Sequence, residues 1–168
     1  MLGDPRKQTV IDPLFGEIAY TEPCGWEGAC TFFFLGHEVT VRLALGGWDE
    51  NDAVEPVQRD AFEQFVLRKE ELCALADDAL YAHYLERQPE LREQFGDSAD
   101  RLMPIIAGKQ DLARLVTPDF LLVANSLRAS NDRVVALLYN CTWAVDLGLA
   151  VKFVNERVNE VGAQNLVL

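Results

Sequence analysis

The pattern of apolar and polar positions divides the chain into three zones. In the first, up to about Gly47, short β-type segments alternate with turn residues. Ile18 and Tyr20 mark one segment and Cys30–Leu35 another, with Pro23, Gly25 and Gly28 between them. From Glu38 to Leu45, the apolar Val39, Val41, Leu43 and Leu45 alternate with Glu38, Thr40, Arg42 and Ala44. That period of two predicts a strand with one buried face. Gly36-His37 reads as a hairpin turn between two such runs, and Gly46-Gly47 closes the strand.

From Trp48 to Val116 the period changes. Pro56 suits the first turn of a helix, and Asp52 and Glu55 suit its N-terminal side, where the dipole favours negative charge. No Gly or Pro lies between Val57 and Arg87, which predicts one helix of about 30 residues, roughly 45 Å long, with Ala74–Ala76 the place for any break. On a helical wheel Val57, Ala61, Phe62, Phe65, Val66 and Leu72 share one half with Cys73, Leu75, Ala76, Ala79, Leu80 and Tyr84, a face wide enough to cover a sheet. Pro89, Gly96 and Pro104 divide shorter helical pieces, and Lys109–Val116 reads as a last short helix stopped by Thr117-Pro118. The third zone returns to strands at Phe120–Ala124, Val134–Tyr139, Leu149–Val154 and Asn165–Leu168. Ser130-Asn131-Asp132 and Asn155-Glu156 supply turns, the second able to fold Arg157–Val161 back on its neighbour. The expectation is a single α+β domain: β zones at residues 1–47 and 117–168 share an antiparallel sheet, packed against a helical zone at residues 48–116 with one long helix.

Composition supports a folded domain: 168 residues, 49% hydrophobic and 25% charged. Charge adds more. The net value is −12, which argues against nucleic acid or an anionic membrane surface as the partner, since both reward clustered Lys and Arg. Fifteen acids against five bases lie between Trp48 and Asp100, so −10 of the −12 falls in that stretch. On the long helix Asp60, Glu63, Glu70, Glu71, Asp77 and Asp78 form a stripe opposite the apolar half, with Leu67, Tyr81 and Leu85 among them. The stripe reads either as a solvated face or as a docking surface for a basic protein, with Tyr81 and the two leucines as anchors.

Other chemistry is sparse. The N-terminus lacks the apolar stretch of a signal peptide and no run approaches a membrane span, so a cytoplasmic protein is expected. Cys24, Cys30, Cys73 and Cys141 form no C-x-x-C pair and read as reduced, mostly buried thiols. His37 falls in a turn, and His83 projects from the apolar face with only Glu86 as a same-face carboxylate within a turn, too few groups for zinc. Neither a nucleophile elbow nor a phosphate-binding glycine loop is present, and no cofactor or metal is expected. A pocket near Trp26 and Trp143, belonging to a small-molecule-binding module or small hydrolase, is the rival to the docking surface.

Two stretches carry a resemblance. Asp12-Pro13-Leu14-Phe15-Gly16-Glu17-Ile18, leading to Gly25-Trp26-Glu27-Gly28, resembles the opening of a group of small bacterial domains of unknown function. Cys141-Thr142-Trp143, Gly148-Leu149-Ala150-Val151-Lys152-Phe153 and Glu160-Val161-Gly162-Ala163-Gln164-Asn165 are similar to that group's C-x-W, G-L-x-V-x-F and E-V-G-x-Q-D segments. Members of the group commonly place an acidic residue and a His between the Trp and the Gly; here the stretch is Ala144-Val145-Asp146-Leu147, without the His. Such domains look like those beside toxin genes, so the resemblance implies an immunity-type inhibitor that covers a basic surface of a toxin.

Overall fold

The computed structural model describes residues 8–47, 51–126 and 131–167. Eight strands form one sheet in strictly sequential order: β1 (Gln8–Asp12), β2 (Gly16–Thr21), β3 (Gly25–Phe34), β4 (His37–Gly46), β5 (Val116–Val123), β6 (Val134–Cys141), β7 (Leu149–Val154) and β8 (Arg157–Gly162). Every neighbouring pair is antiparallel except β4 and β5, which run parallel through Arg42↔Phe120, Leu43↔Leu121 and Ala44↔Leu122. The α+β class and a mostly antiparallel sheet shared by the two β zones agree with the sequence reading; the one parallel pair, where the zones meet, was not in it. The cause lies in the connection. Helices α1 (Pro56–Leu67), α2 (Lys69–Phe95) and α3 (Ala99–Leu102) carry the chain across one face of the sheet and return it to the end where β4 began.

The helices bury the inward side of the pleat. Ala61, Phe62 and Phe65 of α1, and Leu72, Ala76, Leu80 and Tyr84 of α2, belong to one core with Leu43, Leu121, Leu137, Val151 and Phe153. Every apolar residue of β6 is buried because the opposite face is covered as well. There Ala136, Leu138, Ala150 and Val167 form a second, smaller core flanked by Phe120, Leu122 and Leu166.

Four sequence expectations give way. The long helix breaks at Arg68, not at Ala74–Ala76, and runs through Pro89 to Phe95. No glycine or proline marks that break; α1 packs on β5 and β6 while α2 packs on β3, β7 and β8, and a twisted sheet requires a change of axis between them. Val66 and Leu75 are consequently exposed. Thr117-Pro118 sits inside β5, at a register shift where the ladder tolerates a missing N–H. The last strand is β8, as the Asn155-Glu156 turn suggests, whereas residues 164–166 form a 3₁₀ turn rather than a strand. Finally, β1 pairs with β2 outside any segment the alternation had marked. Trp48 and Leu168 lie outside the described residues.

Candidate ligand crevice at the parallel seam

Because β4 and β5 are parallel, their C-terminal ends lie side by side. Gly46 and Gly47 end β4 with φ of +72° and +117°, a backbone only glycine adopts without strain. Gly25 of β3 lies so close that a Cβ there would overlap the Gly46 backbone. Gln58, buried in the first turns of α1, ties the two strand ends together: its Nε2 donates to the carbonyls of Leu45 at 2.6 Å and Val123 at 3.0 Å. Its Oε1 accepts the Glu55 N–H, and the Glu55 carboxylate in turn accepts the Ser126 N–H at 2.7 Å and hydroxyl at 2.9 Å.

Two cavities open from this point. The larger, about 520 Å³, runs over the outer face of the sheet on Ala44, Phe120, Leu122 and Leu138, edged by Glu27 and Gln164. The smaller, about 370 Å³, lies toward α1 between Trp26, Asp52, Val54 and Glu55. Leu45, Gly46, Gly47 and Asn125 line both, so the two adjoin at the ends of β4 and β5. The Asn125 Oδ1 is buried with no hydrogen-bond partner among the described residues. A buried acceptor left unpaired costs about 1–3 kcal/mol. Trp26 is fixed by its Nε1–H donating to the Asp52 carbonyl at 3.1 Å and by edge contact with Tyr20 at 5.6 Å.

Of the expected pocket tryptophans, only Trp26 is here. Trp143 is buried elsewhere, edge-on to Tyr84 at 4.9 Å. The crevice was missed in sequence because Gln58 and Asn125 look like ordinary polar residues there. The usable signal was Gly46-Gly47 followed by a helix start and a later strand, a strand–helix–strand unit whose outer strands pair in parallel.

The acidic stripe is dispersed. Asp60 and Glu63 are exposed on α1, and Glu70 and Glu71 are exposed across the break on α2. Glu71 pairs with Arg68 at 2.7 Å, a contact that lowers its pKa, and Asp78 pairs with Lys109 at 2.7 Å. Asp77 does not belong to the surface: it is 8% exposed, and its Oδ2 accepts the Leu35 N–H at 3.0 Å. Burial pushes its pKa up to about 6. Tyr81 is half-buried against the main core, while Leu67 (70%) and Leu85 (44%) are exposed. Cys30, Cys73 and Cys141 are buried, with burial raising the last two to about 12 and 11; Cys24 is exposed at the crevice edge. His37 is exposed and His83 half-buried, its pKa lowered by burial. No cluster of three metal-ligating side chains occurs among the described residues. No helix among them is long and apolar enough to cross a membrane.

The residues that carry the family resemblance build structure. Asp12 Oδ1 accepts the N–H groups of Leu14 and Phe15 in the β1–β2 turn, and its carboxylate pairs with Arg59 at 2.7 Å. Phe15 packs on Phe62 at 5.0 Å. Gln164 donates to the Tyr139 carbonyl across Gly148, holding the C-terminal turn on the sheet. The chain belongs to the family described as "Domain of unknown function (DUF6985)", whose model matches residues 14–168. No curated protein and no solved structure matches it.

Proposed function

We propose that this member of the DUF6985 family is a non-enzymatic binding domain whose crevice at the ends of β4 and β5 takes a small organic molecule. The observation that carries the reading is the cavity of about 520 Å³ floored by Ala44, Phe120, Leu122 and Leu138, at the ends of the two parallel strands. A ligand whose apolar body lies along Phe120 and Leu122 covers this half-buried apolar floor. The glycines and the Gln58 bridge keep both walls in place before binding.

A simple amphiphile such as 4-phenylbutanol tests this. Titrated into ¹⁵N-labelled protein, it should shift the amides of Gly46, Leu122 and Asn125, and Ala44→Trp, which fills the larger cavity, should abolish the shifts. Shifts elsewhere, or unchanged binding to a folded Ala44→Trp protein, overturn the reading.

A second reading rests on a different surface. Asp60, Glu63, Glu70 and Glu71 are exposed around the α1–α2 break together with Leu67, an apolar anchor beside carboxylates that suits a basic protein such as a toxin. Affinity for a basic protein encoded by an adjacent gene should fall sharply in a Glu63→Lys, Glu70→Lys variant; unchanged affinity removes this reading.

A further inference from the structure

We propose that the turn joining β3 to β4 is a pH-responsive latch, closed on α2 while the Asp77 carboxyl is protonated and freed to open once it ionises. It lies at the end of β4 remote from the crevice and does not depend on the reading above.

Phe34 pairs with His37, so Leu35 and Gly36 make a two-residue turn, with φ of +49° and +82°. Gly36 adopts that conformation freely, whereas Leu35 is strained in it. Two contacts offset the strain. The Leu35 side chain is buried in the main core. Its N–H, which such a turn leaves outside the strand ladder, donates to Asp77 Oδ2 at 3.0 Å. A leucine in a left-handed turn and a buried carboxyl group thus hold each other in place.

The groups around Asp77 decide which protonation state closes the latch. On α2 itself Asp78 is adjacent, and Cys73 and Tyr81 lie about one turn to either side. Lys109, from the 3₁₀ segment Lys109–Arg114, is held on Asp78 at 2.7 Å. Tyr139 of β6 lies within the field of Asp77, its hydroxyl buried and without a partner among the described residues. His37, the first residue of β4, is exposed. Burial and Asp78 oppose ionisation more strongly than the Leu35 N–H and Lys109 support it. The closed turn therefore prefers the neutral acid, whose carbonyl oxygen still accepts from Leu35. The ion gains hydration by opening, and opening uncovers the Leu35 side chain.

Native-state hydrogen exchange on ¹⁵N-labelled protein, corrected for the pH dependence of intrinsic rates, tests the latch. The Leu35 amide should be less protected than that of Leu137 in β6 at every pH. Its exchange should also be indifferent to low urea that speeds exchange at Leu137. Relative to Asp77→Asn, its protection should fall about fiftyfold from pH 4 to 7.5, the factor for a carboxyl titrating at about 6 when closed and 3.8 when open. In the wild type alone, Leu35 protection equal to that of Leu137 ties the turn to global unfolding and overturns the proposal. Low protection that does not change with pH, or a fall as large in Asp77→Asn, overturns it as well.

Discussion

Asp77 offers the sharpest test of the physical account. Its carboxylate is held in the interior by the Leu35 N–H, at the end of the β3–β4 hairpin, where Leu35 itself has φ of +49°. Burial opposes its ionisation and so does Asp78, whereas the Leu35 hydrogen bond and Lys109 favour it; the buried Tyr139 and Cys73 sit within its field. The result is a folded-state value of about 6 against an ordinary 3.8. A raised carboxyl pKa means that the folded protein holds its proton longer than the unfolded chain does. Stability from this group is therefore fully present below about pH 4 and is lost as pH rises through about 6. The gap corresponds to about 3 kcal/mol at 1.36 kcal/mol per pH unit. Asp77→Asn keeps an acceptor for the Leu35 N–H and removes the charge. Urea unfolding at half-unit steps from pH 4 to 7.5 should show the wild type losing stability relative to Asp77→Asn across that range. The variant should match the wild type near pH 4 and exceed it by up to about 3 kcal/mol at pH 7.5. Asp77→Ala, which strands the Leu35 N–H, should be weaker than Asp77→Asn at every pH by about 1–3 kcal/mol. Parallel pH profiles for the wild type and Asp77→Asn would refute the reasoning.

Three further outcomes are expected. The Arg59 pair holds Asp12 down at about 2, so its contribution is present above about pH 4 and lost as pH falls through 2; because Arg59 is 40% exposed, Arg59→Ala should cost only about 1–2 kcal/mol at pH 7 in urea unfolding. Gln58→Leu removes the donors that serve the Leu45 and Val123 carbonyls. It should cost about 2–4 kcal/mol in urea unfolding and speed hydrogen exchange at Gly46 and Ala124. Gly148→Ala would force a Cβ at φ +59° to within 2.7 Å of the Tyr139 carbonyl and onto the Gln164 side chain. It should lower stability by about 1–3 kcal/mol and raise hydrogen exchange over residues 164–167.

The strands β2, β4, β6 and β7 were legible because each announces a buried face through alternation or a continuous apolar run. The pairing of β4 with β5 was not legible. Nothing in either segment encodes direction; direction is set by how the intervening helices lie, and their break at Arg68 follows the sheet rather than a local signal. The same dependence on tertiary structure decided the carboxylates. A wheel drawn straight through Arg68 put Asp77 with Glu70 and Asp78, yet the β3–β4 hairpin end closes over it. Gln58 and Asn125 acquire their meaning only from strand ends far away in sequence.

The sheet is two four-stranded meanders, each built from short-range hairpins, joined on the sheet by three residue pairs between Arg42–Ala44 and Phe120–Leu122. Each meander has low contact order and should form early, whereas closing residue 42 onto residue 120 spans the whole helical zone and should come late. What closes last is also expected to open first under native conditions. The crevice lies on that seam, so an occupant that bridges β4 and β5 acts as a staple across the late-closing joint of the fold. Its binding should then appear as slowed exchange in both meanders at once.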